Sequence, residues 1–378
     1  MKLLSILPPL SLVLFPTITL AADNYDHDHG NAGFYGHLDV KIQYDHVYKA
    51  GESDEEINEA YSHSHLELGY GFNSGISVNT NIQLEGEPAG HDHGGGGATL
   101  DGSNRYFEDE PLFVRTLTLN YDGDHFGVYA GKFDPVISFD EHVLPGIYGY
   151  QIIDEYTVRE KIGLGGYGKL KAGDFGTHRL DVSTFFADTT FLSNSLLHER
   201  GDTGKDDGGV SNTEDFSSFA ISVSGSDFYS LNSDIPEGLS YRVGFAHLAA
   251  GEGDENSEKR FSISGQYKHN FTSDLKGRLL GEIVHIDHLN GEAPHDRTYH
   301  TVGAEISYRK WDLGSTYTYV RNENPEEADE ALNGEVFQTS LSYQFGNGLY
   351  AGAGYKYQKE EGEKNNRIGL LIGYSKAF

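Results

Sequence analysis

Residues 367–378 have the sequence RIGLLIGYSKAF, in which apolar or aromatic side chains occupy alternate positions up to the chain end. The apolar set is Ile368, Leu370, Ile372 and Tyr374, followed by Phe378. The intervening positions are mostly small or polar, namely Arg367, Gly369, Gly373 and Ser375. This period of two predicts a β-strand that has water on one face only. A chain that ends on such a strand needs a partner for the free edge of its sheet.

The N-terminal part of the chain offers that partner in residues 33–48. Its apolar set is Phe34, Leu38, Val40, Ile42 and Tyr44, and its polar set is His37, Asp39, Lys41, Gln43 and Asp45. The two stretches therefore share the same alternation at a similar length. If they pair, the sheet closes on itself and has no edge.

The end of the chain resembles the closing strand of Gram-negative outer-membrane β-barrels. Phe378 is the last residue, Tyr374 precedes it by four positions, and apolar residues alternate before them. The resemblance implies an outer-membrane location and a terminal Phe that the barrel assembly machinery recognises. Lys376 departs from the pattern, because such strands usually carry an apolar or aromatic residue there.

The N-terminus has the features of an export signal. One Lys precedes an apolar run over residues 3–20, and Thr19-Leu20-Ala21 forms a small-x-small cleavage site. We therefore predict a signal peptide over residues 1–21, a short His- and Asp-rich periplasmic segment over 22–32, and a barrel over 33–378. The chain has no Cys, so export leads to no disulfide.

The composition favours an all-β protein. There are 48 Gly, 25 Tyr and 21 Phe, and no segment of helical periodicity stands out. The formal net charge of -30 argues against nucleic acid as a partner. On a pore, this charge would favour cations over anions, although a soluble protein could carry it for solubility.

Alternating runs bounded by turn residues recur along the whole chain. We count sixteen, at residues 33–48, 60–72, 76–85, 112–121, 126–133, 159–170, 178–187, 216–226, 239–248, 260–269, 275–286, 298–308, 311–320, 335–343, 349–357 and 367–378. Most have about ten residues, which a tilted strand needs to cross a bilayer. Short Gly-, Asn- and Asp-rich turns alternate with long acidic connections, as in transmembrane barrels. Only the connection 227–238 is long where a short turn is expected.

These runs predict a transmembrane antiparallel β-barrel of about 16 strands, with both termini in the periplasm. A soluble β-sandwich pair or a propeller is the alternative, and either would bury its apolar faces against each other. The many Tyr and Phe near strand ends instead suggest lipid contact and an interfacial aromatic girdle.

The third long connection, residues 134–158, is predicted to fold into the barrel. Its entry, Gly-Lys-Phe-Asp-Pro at 131–135, resembles the junction that precedes the infolded third outer loop of several porin families. Sixteen strands enclose an open channel that only such a segment can narrow. Its apolar residues would pack on the wall, and its polar residues would line the constriction: Asp134, Asp140, Glu141, His142, Asp154 and Glu155. The alternative is an outer loop packed on its neighbours.

Basic residues are expected on the wall opposite these carboxylates. By strand alternation, five lie in lumen-facing phase: Lys41, Lys132, Arg242, Lys268 and Arg278. Opposed rows of charge would order water and favour polar solutes. Structural salt bridges would give the same pattern in sequence.

Spaced histidines suggest a second hypothesis, the capture of divalent metal. His63, His65 and Glu67 share one face of a predicted strand. The remaining candidates lie in flexible segments, with His27 and His29 before the barrel and His91 and His93 in the second outer loop. One face of one strand cannot supply tetrahedral coordination alone. Solvated polar residues in low-complexity segments are the alternative.

The sequence as a whole predicts a porin that admits small hydrophilic solutes passively, with cation preference. No Gly-x-Ser-x-Gly turn suggests an enzyme, and no resident cofactor is implied. Two alternatives stay open: a selective uptake channel for a divalent metal or a siderophore-type chelate, and a structural or adhesive barrel. Expected partners are outer-membrane lipid and lipopolysaccharide, the latter bridged by divalent cations on the acidic loops. The porin resemblance also implies a homotrimer.

Overall fold

Sixteen antiparallel strands form one closed sheet in the computed structural model, which describes residues 32–51, 56–72, 74–86, 103–140, 142–200, 203–228, 238–323, 333–360 and 362–378. The strands are β1 (Gly33–Lys49), β2 (Asn58–Gly71), β3 (Ile76–Glu85), β5 (Leu112–Asp122), β6 (Phe126–Phe133), β7 (Lys161–Lys171), β8 (Thr177–Ala187), β10 (Ser218–Ser226), β11 (Leu239–Leu248), β12 (Glu258–Asn270), β13 (Leu275–Asp287), β14 (Asp296–Tyr308), β15 (Trp311–Glu323), β16 (Gly334–Gly346), β17 (Leu349–Glu360) and β18 (Glu363–Ala377). Two further strands, β4 (Arg105–Tyr106) and β9 (Ser195–Leu196), have two residues each.

The barrel closes between its first and last strands. β1 pairs with β18 from His37 opposite Ala377 to Lys49 opposite Asn366. At the bottom of this seam, Gly36 and Phe378 exchange two backbone hydrogen bonds of 2.9 and 3.0 Å. The predicted closure is therefore confirmed, and the sheet has no free edge there.

The apolar faces of the strands point away from the barrel interior. In β1, Ile42 is 49% exposed, whereas its polar neighbours Gln43 and Asp45 are buried at 1% and 0%. Equivalent exposed apolar positions recur on other strands, for example Leu119 at 56% and Ile372 at 64%. A sandwich or propeller would bury these side chains, so the barrel prediction is confirmed.

The connections alternate between tight turns at one end of the barrel and longer segments at the other. The 227–238 connection includes residues 229–237, which lie outside the described residues, as do the predicted signal peptide, most of the 22–32 segment and the acidic run 52–55. None of the helices in the described ranges is long and apolar enough to cross a membrane. The only α-helix among them, α1 (Gly149–Asp154), is fully buried.

Two short strands extend the wall, β9 beyond the end of β6 and β4 beyond the end of β3. β9 pairs with Leu112 and Phe113 of β5, beyond the point where β6 stops pairing with that strand. β4 pairs in parallel with β2 beyond the end of β3. The two short strands provide hydrogen-bond partners for backbone groups of β5 and β2, at positions beyond the ends of β6 and β3.

Candidate functional site

The segment between β6 and β7, residues 134–160, begins along the inner faces of β11, β12 and β13. Ser262 Oγ donates to Ile137 O at 2.5 Å, and Arg242 Nη1 donates to Ser138 O at 2.7 Å. Phe139 N donates to Glu282 Oε1 at 2.7 Å. The three wall residues alternate with exposed apolar neighbours, so their side chains point into the barrel.

The middle of the 134–160 segment contacts a different part of the wall. Ile147 N donates to Ser340 Oγ at 3.1 Å, and Tyr148 N donates to Gln338 Oε1 at 3.2 Å on β16. The Tyr148 hydroxyl donates to Asp45 Oδ1 of β1 at 2.9 Å. The segment thus reaches strands that adjoin the closing seam.

The segment then returns to the strands where it began. The Tyr156 hydroxyl donates to Glu282 Oε2, and Arg260 Nη1 donates to Tyr156 O at 2.7 Å. Glu282 therefore accepts one hydrogen bond from each limb, through Phe139 and Tyr156. An apolar cluster joins both limbs to β13, β14 and β15: Phe139, Val143, Leu144, Ile152, Ile153, Tyr156, Leu280, Val284, Ile286, Leu289, Tyr299 and Val320.

Inward-facing glycines make room for the segment. A Cβ atom at Gly244 would overlap Ile137 O, and one at Gly369 would overlap the Tyr148 hydroxyl. Both glycines stand where any other residue would project into the barrel. Their absence of a side chain lets the segment approach the wall backbone closely.

The acidic residues predicted at a constriction take individual partners. Asp134 accepts from Arg115 Nε at 2.7 Å and from Glu160 N at 2.8 Å. Asp140 accepts from His142 N at 3.0 Å. Asp154, 6% exposed, forms an ion pair with Arg159. Glu141 lies outside the described residues.

Glu155 lies in a pocket between the segment and the opposite wall. The pocket is a cavity of about 10 Å³, room for a single water, lined by Tyr148, Gln151, Ile152, Glu155, Thr316, Thr318, Val336, Gln338 and Lys356. Burial, and next the negative charge of Glu360, raises the pKa of Glu155 to about 7. Lys356 Nζ donates to Gln151 Oε1 at 2.7 Å in the same region.

Four of the five predicted basic residues face inward, and Lys132 does not. Lys41 pairs with Asp39 at 2.9 Å, and Arg278 pairs with Glu305 at 3.0 Å. Arg242 contacts the segment as described above, and Lys268 lies beside Arg278 in the register of β12 and β13.

Lys132 shares the parity of the exposed residues Val128 and Ala130 in β6. It is fully buried nonetheless, because Glu160 at 2.7 Å and Asp188 at 2.8 Å enclose its ammonium group. Arg200 also pairs with Glu160. This cluster joins the start of β7 to the segment that carries β9, so Lys132 stabilises the wall rather than lining the lumen.

The two histidine candidates within the described ranges, His63 and His65, are engaged in other contacts. His63 lies 3.0 Å from Glu85 and stacks on Tyr150, with ring centroids 4.0 Å apart. His65 stacks on His142 at 5.2 Å. Within the described ranges, no three His, Asp or Glu side chains converge as metal ligands. His27, His29, His91 and His93 lie outside them, and Glu67 faces His37 across β1 and β2.

Several buried charged residues on the strands were not named as site candidates from the sequence. Arg367 Nη1 lies 3.1 Å from Glu59 and 3.7 Å from Asp45, and the Tyr61 hydroxyl donates to Asp45 at 3.0 Å. Their inward phase was visible in the alternation of β1, β2 and β18. The partners of these residues could not be predicted, because each partner comes from a distant part of the chain.

Comparisons with known proteins agree with this architecture. A model of the family described as Gram-negative porin matches residues 10–376, whereas no curated protein sequence matches the chain. The chain is similar to the outer membrane channel DcaP of Acinetobacter baumannii, with a TM-score of 0.57, 12% identity, and coverage of 92% of this chain and 97% of that one. It is also similar to OprB of Pseudomonas putida, with a TM-score of 0.60, 12% identity, and coverage of 92% and 95%. At such identities, the likeness to these structures shows the fold alone.

Proposed function

The chain belongs to the Gram-negative porin family, and from this premise we propose that it admits small hydrophilic solutes passively through a lumen narrowed by the 134–160 segment. Porins are channels of the outer membrane, and the exposed apolar belt of this barrel suits that location. Passage down a gradient requires a wet, shaped path and no catalytic residue.

The observation that carries the proposal is the set of hydrogen bonds between the 134–160 segment and opposite parts of the inner wall. Contacts to Arg242 and Glu282 on one side, and to Gln338, Ser340 and Asp45 on another, support a segment that crosses the lumen. A segment held in this way would reduce the free cross-section without closing it.

We further propose that the channel prefers cations. The net charge of -30 supports this preference, since a negative pore lowers the energy of cations within it. Inward-facing basic residues such as Lys41 and Arg278 have carboxylate partners within 3.0 Å, so their charges are largely compensated. The remaining negative charge would dominate the field at the mouths.

Single-channel recording in planar bilayers tests both parts of this proposal. We expect ohmic conductance. In a gradient of potassium chloride, we expect a reversal potential with the sign of a channel that passes potassium more readily than chloride. The absence of any conductance would rule out a channel and leave a structural or adhesive barrel. An anion-side reversal potential would overturn the cation preference alone.

The metal-uptake alternative has a separate test. His63 and His65 would have to leave their present contacts with Glu85 and His142 to bind a metal. Block of the conductance by micromolar zinc, abolished in the His63→Ala/His65→Ala variant, would favour this alternative.

A homotrimer that contacts lipopolysaccharide is proposed for the assembled protein. OmpT of Vibrio cholerae, described in a trimer form, has a TM-score of 0.50 and 13% identity to this chain, with coverage of 92% and 100%. Mass measurement of the purified protein in detergent checks this state, and a monomeric mass under mild extraction would contradict it.

A further inference from the structure

In one sector of the inner wall, the described residues meet the 134–160 segment at the edge of the sector, where Arg115 of β5 pairs with Asp134. In β3 and β5, three cross-strand pairs of uncharged polar residues face inward, and together we call them the amide–hydroxyl ladder: Ser77 with Asn120, Asn79 with Thr118, and Asn81 with Thr116. In the described part of the chain, no hydrogen bond joins the ladder to the segment. Five of its six residues are partly exposed, all except Ser77.

The opposite wall carries the same chemistry but is covered. Thr318 is 1% exposed and Thr316 is 4% exposed, and both line the small cavity beneath the segment. Gln338, at 2% exposed, is engaged by Tyr148. Polar residues of β15 and β16 are therefore covered by the segment, whereas similar residues of β3 and β5 are partly exposed. Of these two parts of the wall, the one along β3 and β5 has more contact with water.

The ladder retains hydrogen-bonding capacity for a solute. Asn81, Thr116 and Thr118 are partly exposed, so their side chains are open to a solute, although Asn81 Oδ1 itself is buried. Amide and hydroxyl groups both donate and accept, and they carry no charge. The flanking charges compensate each other, since Arg115 pairs with Asp134 at 2.7 Å and Arg179 with Asp181 at 2.7 Å.

Two tyrosines present flat aromatic surfaces beside the ladder. A Cβ atom at Gly69 would overlap the ring of Tyr35, and one at Gly165 would overlap the ring of Tyr129. Each ring therefore lies against the wall over a glycine, and both side chains are partly exposed. The Tyr129 ring also packs on Phe133, with ring centroids 4.9 Å apart. The Tyr35 hydroxyl donates to Asn79 Oδ1 at 2.5 Å, which joins its ring to the ladder. An aromatic face beside hydrogen-bonding groups suits a molecule with both an apolar face and a polar edge.

We propose that solutes pass along the amide–hydroxyl ladder and that this path suits uncharged polyhydroxylated molecules of sugar type. Such a solute exchanges hydrogen bonds with water for equivalent bonds to Asn and Thr side chains, and its ring face contacts Tyr35 or Tyr129. The inference rests on the proposed channel function and adds the path and the solute class to it.

Cysteine accessibility locates the path, because the chain has no native Cys. We would record the conductance of Thr118→Cys and Asn81→Cys while adding a water-soluble methanethiosulfonate reagent. Thr318→Cys on the covered wall is the matched control, since it changes the same residue type. We expect block at least about tenfold faster at the ladder positions, because thiol modification follows exposure. Equal rates, or faster block at Thr318→Cys, would overturn the path.

Uptake by liposomes tests the solute class. We would compare a neutral hexose with gluconate and with glucosamine, which have similar size and opposite charges. The unmodified protein should admit the hexose faster than gluconate, while uptake of glucosamine measures the cation preference proposed above. Asn81→Asp should slow gluconate about threefold or more relative to the hexose. Uptake of gluconate by the unmodified protein that is as fast as uptake of the hexose, or faster, would reject the class. If the protein conducts ions but one of these two tests fails, the path or the solute class is wrong and the proposed channel function stands. If the protein does not conduct ions, the proposed channel function itself is wrong.

Discussion

At the scale of single residues, one carboxylate holds both limbs of the 134–160 segment. Glu282 is 3% exposed and accepts from Phe139 N and from the Tyr156 hydroxyl. These two residues stand at opposite ends of the segment, so the side chain of Glu282 fixes the spacing of the limbs. A buried donor that loses its acceptor costs about 1–3 kcal/mol.

We therefore predict that Glu282→Ala raises the single-channel conductance or its noise. The substitution leaves two buried donors without partners, and the segment should then leave its position part of the time. Glu305→Ala is the matched control, because it removes an inward carboxylate that pairs with Arg278 on the wall. Equal changes in the two variants would show that charge, and not the hold on the segment, controls the current.

Glu155 is the group from which we predict a pH dependence of ion preference near neutrality. Burial raises the pKa of its carboxyl to about 7, with a further contribution from Glu360. With a pKa raised in this way, the carboxyl would be neutral below about pH 7 and negative above it. We predict that cation preference increases between about pH 6 and pH 8, measured by reversal potential, and that Glu155→Gln removes the increase. If the cation preference of Glu155→Gln still increases with pH, another group is responsible for the titration.

At the scale of elements, the inner wall is shaped to fit the segment. Gly244 of β11 faces inward against Ile137, whereas Gly265 of β12 faces outward with only Ser240 O nearby. We predict that Gly244→Val displaces the segment and changes the conductance, while Gly265→Val leaves it unchanged. Both variants place a β-branched residue in a strand, so the comparison separates inner packing from strand propensity. No difference between them would mean that the segment does not depend on this close approach.

The strands could be predicted from sequence because each carries its own signal. Residues 76–85, 126–133 and 239–248 were predicted with the bounds that the structure gives, since a period of two needs only local information. The two-residue strands β4 and β9 were missed, because they exist only where a longer neighbour leaves backbone groups unpaired.

The partners within the site could not be predicted in the same way. The sequence suggested carboxylates in the 134–160 segment, but not that Asp134 would pair with Arg115 at a bulge in β5. Glu282 lies 143 residues after Phe139, and nothing local connects them. Lys132 was predicted in lumen-facing phase, and the structure gives it the opposite parity. Ion pairs and hydrogen bonds of this kind depend on packing between distant parts of the chain, which the alternation of residues along one strand does not predict.

At the scale of the whole molecule, closure of the barrel separates an exterior that faces lipid from an interior lined by polar residues. The alternate side chains of each strand must suit both. Outside, apolar side chains such as Ile42 and Ile372 meet the membrane. Inside, charged residues are held by ion pairs, as for Lys41 and Asp39, or by hydrogen bonds, as for Glu282, and five of the six ladder residues are partly exposed. A slip of one residue at the seam would exchange these faces along the whole of β18. The register between β1 and β18 is thus the condition for every inner contact described above.

That register can be tested by a designed disulfide, since no native Cys competes. Ile42 lies directly opposite Ile372 across the seam, and both side chains face outward. Directly opposed strand residues have Cα atoms about 4.5–5.5 Å apart, which a disulfide can span. We predict that Ile42→Cys/Ile372→Cys forms an intramolecular disulfide in the folded protein, seen as a shift on non-reducing gels that reductant abolishes. Ile42→Cys/Leu370→Cys is the matched control, because its diagonal separation of about 7–8 Å exceeds the range of a disulfide. Bridging in the control but not in the opposed pair would place β18 two residues away from the register that closes this barrel.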